Sequence, residues 1–378
     1  MAAPAPRAEV LVDLDALRHN VALLAGLAAR TGAATMVVVK ADGYGHGAVD
    51  VARAALTAGA TWLGACSLAE ALALREAGIT APVLAWLDVP GEDFAAGVAA
   101  DVDLSVASVR VLRQVAEAAQ RVGRRARVHL KIDTGLSRNG CQPADWPDLV
   151  AEAAATPDID VVAIWSHLAC ADEIGHPSIN LQAERFDAAY RTARAAGLSP
   201  LRHLANSAAL ITRPDLHFDL VRPGIAAYGL NPVTVPLELR PVMTFRSSVA
   251  LVKRIPAGES VSYGLSWTAP VDTTLALVPA GYADGVPRSL SGRMEVLLGG
   301  RRLPVVGRVC MDQIVVDCGN LAVSEGDEVV LFGPGDRGEP TAREWADLIG
   351  TIDYEIVTGM YRPRVRRTLV GAHELVQS

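Results

Sequence analysis

From Thr35 onward, short apolar runs alternate with alanine- and arginine-rich stretches of helical period. The runs are Met36–Val39, Trp62–Ala65, Val83–Leu87, Leu104–Ala107, Val128–Asp133, Val161–His167, Arg202–Ser207 and Leu220–Arg222. Short apolar runs between turn signals read as buried strands, and the segments between them as amphipathic helices. Eight such alternations predict an α/β fold closed into a (β/α)8 barrel rather than an open sheet. The helix of the eighth unit is not evident. Ahead of the barrel rhythm, Glu9–Asp13 reads as a strand. Asp15 then caps a helix through Arg30, with Leu17, Val21, Leu24 and Ala28 on one stripe. After Gly229-Leu230-Asn231-Pro232 the helical pattern stops. Met243–Lys253, Leu275–Pro279, Glu295–Leu298, Val305–Val309, Ile314–Asp317 and Glu328–Phe332 read as strands, interrupted by a helix from Thr341 to about Ile349 with Glu344 completing its cap. The expected division is a flexible N-terminus over 1–8, a barrel over 9–238 and a mostly-β domain over 239–378.

Composition narrows the function classes. The 378 residues are 51% hydrophobic and 20% charged, enough apolar material for a large core. The net charge of -7 comes without acidic runs, which gives no sign of nucleic-acid binding. No uncharged apolar run reaches membrane-spanning length, and Met1–Pro6 lacks the apolar stretch of an export signal. The five cysteines contain no C-x-x-C pair, a pattern of reduced thiols rather than of a disulfide framework or zinc site. A soluble, cytoplasmic protein without a bound metal is expected.

Candidate chemistry starts at Val37-Val38-Val39-Lys40-Ala41-Asp42-Gly43-Tyr44-Gly45-His46-Gly47. A lysine at the buried end of a strand is costly unless it is neutral, paired or covalently bound, and a neutral amine is what Schiff-base chemistry with a carbonyl requires. The same glycines fit a dinucleotide fingerprint, Gly43-x-Gly45-x-x-Ala48. The next strand, Thr61–Cys66, lacks the acid that fingerprint needs. Further strand ends carry Lys131 with Asp133, His167, Asn206-Ser207 and Arg222, and barrel enzymes build their sites on that face. Alternation places His129, Lys131 and Asp133 on one face. Any one of these also reads as a satisfied polar group, and Tyr263 and Tyr361 as packing tyrosines of a β domain. Five active strand ends together are hard to reconcile with packing alone.

In order and spacing these motifs resemble the alanine racemase family, the pyridoxal-phosphate-dependent class with a barrel and a β domain. Leu130–Gly140, Ser166–Glu173, His203–Ala208 and Val221–Leu230 carry the resemblance through the barrel. Glu259–Gly264, Gly281–Gly285, Gly307–Gln313 and Tyr361–Arg364 carry it through the second domain. The resemblance implies pyridoxal 5'-phosphate bound covalently to Lys40, which also serves as one acid/base, and Tyr263 as the base on the opposite face of the substrate's α-carbon. It implies phosphate contacts from Tyr44, Ser207, Gly224, Ile225 and Tyr361, and substrate carboxylate contacts from Arg138 and the Met311 amide. Lys131 matches a lysine often carbamylated in the family and pairs with Arg138. His167 and Arg222 would bond to each other, with Arg222 opposite the pyridine nitrogen. Tyr282 would line the entry, and Asp312 belongs to the Met311 motif. A homodimer with shared sites, acting on L-alanine and D-alanine to supply peptidoglycan, follows from the same resemblance.

The chemistry agrees from below. Racemisation removes a proton from one face of a carbon and returns it on the other, so two acid/bases must flank the plane. A broader-specificity amino-acid racemase of the same fold is the nearest alternative. A decarboxylase of this architecture should carry a glycine-rich phosphate loop late in the barrel and a cysteine–aspartate pair, and neither is found. A carrier with the barrel alone would not need the β domain with Tyr263 and Met311.

Overall fold

The computed structural model describes residues 7–371. The chain divides into two compact units. One comprises Leu17–Gly43 and Gly47–Leu239, the other the segment ending at Ala16, Tyr44–His46 and the chain from Arg240.

Strand β1 (Glu9–Asp13) opens the chain, and the barrel strands follow: β2 (Ala34–Val38), β3 (Trp62–Ala65), β4 (Val83–Ala85), β5 (Asp103–Val106), β6 (Ala126–Lys131), β7 (Ile159–Trp165), β8 (Leu201–His203) and β9 (Leu220–Val221). All barrel pairings are parallel, in the order β8-β7-β6-β5-β4-β3-β2-β9. An isolated parallel bridge between Asn206 and Arg222 brings the two ends of the sheet together, with Arg222 N donating to Ala205 O at 2.9 Å. The expected (β/α)8 barrel is therefore present. Its helices form as the pattern dictates. In Val109–Val122, Val111, Leu112, Val115, Ala116, Ala118 and Ala119 face inward, Ser108 caps the start, and Gly123 ends the helix in the left-handed region at φ 71°.

The missing eighth helix has a structural explanation. After β9 the chain forms a short 3-10 turn, Ile225–Tyr228, and helix Leu14–Ala29 reaches it from the other end of the sequence, where Asn20 donates to Ala227 O at 3.2 Å. The cap of that helix is Asp13, not Asp15: its Oδ1 accepts from the Asp15 and Ala16 amides at 2.9 and 3.0 Å.

The second unit contains β10 (Met243–Ser248), β11 (Leu251–Ile255), β12 (Ser260–Val261), β13 (Trp267–Thr268), β14 (Thr273–Val278), β15 (Glu295–Leu298), β16 (Arg301–Val306), β17 (Ile314–Gly319), β18 (Glu328–Phe332) and β19 (Arg366–Val370). A nine-stranded sheet runs β11-β14-β17-β16-β15-β18-β10-β1-β19, and β12 and β13 form a ribbon. Strand β1 thus belongs here, antiparallel to β10 and parallel to β19, although the sequence reading began the barrel at residue 9. A short strand with three apolar residues at its centre looks the same in either sheet, because its pairing partner is set by distant sequence. Of the segment expected to be flexible, residues 1–6 lie outside the described residues, and Arg7 is held by Pro279 O at 2.8 Å and by an ion pair with the buried Asp284. Helix Ala342–Ile349 starts with the reciprocal Thr341/Glu344 cap anticipated from sequence. Helix Asp353–Thr358, which follows it, was not anticipated.

Candidate active site

Lys40 follows β2 and opens a left-handed turn. Ala41, Asp42, Gly43 and Tyr44 have φ of 52°, 52°, 62° and 53°. Such a turn costs a non-glycine residue about 1–2 kcal/mol, so neighbouring bonds must impose it. Val39 N donates to Gly64 O at 2.8 Å, Ala41 N to Glu70 Oε1 at 2.8 Å, and Ala48 N to Asp42 Oδ1 at 2.9 Å. The helical segment expected after the glycines begins at Ala48. Lys40 Nζ lies 5.9 Å from the Trp86 ring centre. Burial, reinforced by the positive charge of Arg138, lowers its pKa from the ordinary lysine value.

Around it the barrel gathers positive charge. Lys131, at the end of β6, lies 4.2 Å over the Trp165 ring, and burial, then Arg222 and Arg138, bring its pKa down to about 8. Arg222 is buried. It donates to Ser166 O at 2.8 Å and to Leu204 O at 3.2 Å, its Nη2 lies 3.4 Å from His167 Nδ1, and burial lowers its pKa to about 9. His167 drops to about 3, through burial first and then Arg222, Arg138, Lys131 and Lys40. It is neutral, and because a guanidinium only donates, the Nδ1 facing Arg222 accepts and the ring proton sits on Nε2. Asp133 turns its carboxylate onto its own loop: Oδ1 accepts from Gly135 N at 2.9 Å and Ser137 N at 3.1 Å. That orders the loop carrying the exposed Arg138. Ser207 begins a short helix capped by Asn206, and its Oγ accepts from Gly224 N at 2.9 Å and Ala226 N at 3.3 Å. The Ser207 hydroxyl hydrogen is left to donate elsewhere.

The second unit presents the other candidates. Tyr263 sits on a 3-10 turn whose flanking Ser262 has φ 68°, and it is 72% exposed. The Gly281–Asp284 turn hydrogen-bonds to the next candidate segment: Tyr282 N donates to Cys310 O at 3.0 Å and Ala283 N to Met311 O at 2.9 Å. Tyr282, Met311 and Asp312 are thereby held together, with Arg364 Nη2 donating to Asp312 Oδ1 at 2.6 Å. Met311 is 52% exposed. Tyr44 belongs to this unit, buried with its ring 6.3 Å from Tyr354, and Tyr361 is exposed beside Arg367.

Sequence reasoning missed the aromatic floor of the barrel site, Trp86 and Trp165, whose ring centres are 6.0 Å apart. It also missed Asp103, a fully buried carboxylate in β5 bonded to His129 and Arg127. An acid in the strand Asp103-Leu104-Ser105-Val106, buried along its whole length, must find a partner.

Comparison with known proteins gives a consistent likeness. The alanine racemase N-terminal domain family matches residues 12–232, and the alanine racemase C-terminal domain family matches 242–369. The chain is 56% identical to an alanine racemase of Frankia casuarinae, over 93% of this chain and 94% of that one. It is 55% identical to one of Salinispora arenicola, over 97% and 99%. The crystal structure of alanine racemase from Streptomyces lavendulae superposes with a TM-score of 0.95 at 48% identity, covering 100% of both chains. That from Streptomyces coelicolor gives 0.93 at 51% identity, covering 96% and 98%.

Proposed function

The chain belongs to the alanine racemase family, whose reaction interconverts L-alanine and D-alanine, and we propose that it performs this with pyridoxal 5'-phosphate on Lys40 and Tyr263 as the opposing base. The observation that carries the reading is the cationic cluster at the strand ends of the barrel. A lysine whose amine is pushed toward its neutral form stands in a turn the backbone would not adopt unaided, among Lys131, Arg138 and Arg222. That surplus of positive charge suits a ligand bearing phosphate and carboxylate groups, and the neutral amine suits its carbonyl. Ser207, with the Gly224 and Ile225 backbone, would hold the phosphate, together with the hydroxyls of Tyr44 and Tyr361. When bound, the cofactor supplies a carbonyl for the amine and an electron sink for the charge left as the α-proton departs.

The chain's own groups do the rest. Arg138, on the loop ordered by Asp133, and the Met311 amide hold the alanine carboxylate. Lys40 Nζ takes or returns the α-proton on one face, and the Tyr263 hydroxyl does so on the other. Neutral His167 would offer its Nε2–H to the oxygen of that tyrosine and so orient it. Arg222 donates without accepting, so a ring nitrogen placed against it would stay unprotonated. Tyr282 lines the entry. Because Tyr263 and Met311 are exposed in the single chain, a second copy is the proposed source of the tyrosine for each Lys40, in a homodimer of isologous symmetry. The product D-alanine would serve peptidoglycan synthesis in the cytoplasm, a compartment that keeps the chain's five free cysteines reduced.

Borohydride treatment tests the assignment. The purified holoenzyme should absorb visible light, lose that band on reduction, and yield a labelled peptide containing Lys40. It should convert L-alanine to the racemate faster than L-serine or L-lysine. Label at Lys131 or Lys253 would overturn the role of Lys40, and equal rates on the three substrates would favour the broader-specificity alternative.

A further inference from the structure

Below Arg222 a file of polar side chains threads the barrel. Arg222 Nη1 lies 3.1 Å from His203 Nδ1, His203 Nε2 lies 2.8 Å from His129 Nδ1, and His129 Nε2 lies 3.0 Å from Asp103 Oδ2. Asp103 Oδ1 accepts from Arg127 Nε at 2.6 Å, at the half-buried end of the file. Both imidazoles are 0% exposed. His203 stacks on Trp165 with ring centres 5.5 Å apart and planes at 10°, and His129 meets Trp62 edge-on at 5.5 Å.

The two ends fix the direction of every bond between them. A guanidinium only donates and a carboxylate only accepts. His203 Nδ1 must therefore accept from Arg222, which puts the His203 proton on Nε2. His129 Nδ1 must then accept that proton's bond, which puts its own proton on Nε2, facing Asp103. Each ring carries one proton and is neutral. Burial, with the charge of Arg222 beside it, keeps His203 well below the ordinary histidine range. Burial would raise the Asp103 carboxyl, but His129 and Arg127 outweigh it and hold the group below its ordinary value.

We propose that Asp103, His129 and His203 form a positioning relay whose one-way hydrogen-bond polarity presents a lone pair to Arg222 and so holds its guanidinium in one orientation. The effect on the cofactor ring rests on the function proposed above, but the polarity of the file does not. A merely space-filling cluster would tolerate either polarity. Asp103→Asn distinguishes the two. Its amide oxygen can keep the 2.6 Å bond from Arg127 Nε while the 3.2 Å bond from Arg127 Nη2 to Oδ2 is lost, and its NH2 then turns toward His129 Nε2. Both imidazoles must then shift their proton to Nδ1, and the file ends with two donors facing each other at His203 and Arg222.

Long-range 15N–1H correlation spectra of histidine-labelled holoenzyme read the tautomers directly. His129 and His203 should both be Nε2–H in the native chain and both Nδ1–H in Asp103→Asn. One lost hydrogen bond at Arg222 should lower kcat for alanine about tenfold, with KM within about twofold. If the native chain shows either ring as Nδ1–H or doubly protonated, the relay is overturned, even should the variant fail to fold. Tautomers unchanged in a folded variant, or shifted with kcat intact, overturn it as well. Expected tautomers without a borohydride label at Lys40 would leave the relay standing and remove the cofactor reading instead.

Discussion

Lys131 shows how much of a residue's chemistry can be read from its neighbours. Its pKa of about 8, against an ordinary 10.5, arises from burial and from the positive charge of Arg222 and Arg138. Below about pH 8 the folded and unfolded chains both hold this proton, and the cost of burying the charge is felt in full. Between about 8 and 10.5 the unfolded chain binds more protons, so this contribution to stability rises with pH. Lys131→Met should therefore gain most in urea midpoint at neutral pH, and the gain should shrink by about pH 10. A pH-independent difference would mean that a buried ammonium is not what titrates. At this scale the candidate site was legible where a charged residue ended an apolar strand, as at Lys40, Lys131 and Arg222. It was illegible where the meaning lay in a partner. His129 looked like a neighbour of Lys131 on one face, but its bonds run to His203 and Asp103, supplied by strands far away in sequence.

Elements were legible to the extent that their signals are local. The barrel strands and the Thr341 cap each follow from residues within one or two turns of chain. The helix that fills the eighth position could not be found where the repeat called for it, because the chain supplies it from before the first barrel strand. The sequence reading put the helix cap at Asp15, and the backbone path puts it two residues earlier, at Asp13. The Gly281–Asp284 turn, which sequence alone could take for an ordinary hairpin, is specified by contact. A Cβ on Gly281 would meet Cys310 O, and would lie 2.5 Å from Met311 O and 2.6 Å from Met311 C. Gly281→Ala must displace the Met311 segment. If the Met311 amide holds the substrate carboxylate, KM for alanine should rise about tenfold, with a smaller change in kcat. Steady-state kinetics with an unchanged KM would detach Met311 from the substrate.

At the scale of the molecule, the alternation of strands and helices announced the barrel, and the loss of helical period announced the second unit. The path of the chain between them was not legible: β1 and Tyr44–His46 belong to the unit whose bulk begins at Arg240. The shared site of the proposed homodimer makes its own demand. Lys40→Ala and Tyr263→Phe chains should each be inactive, and their mixed dimers should each hold one intact site. Equal random mixing should then restore about one quarter of the sites. Activity that stays at the level of the separate variants, with subunit exchange confirmed by a tag, would put both residues in one chain. The central claim is that Lys40 and Tyr263 serve opposite faces of one carbon. It is tested most directly by α-hydrogen exchange in heavy water catalysed by the Tyr263→Phe holoenzyme. Racemisation should be abolished with the cofactor still bound, while deuterium continues to enter D-alanine well ahead of L-alanine. Equal loss of exchange from both enantiomers would contradict the division of labour between the two bases.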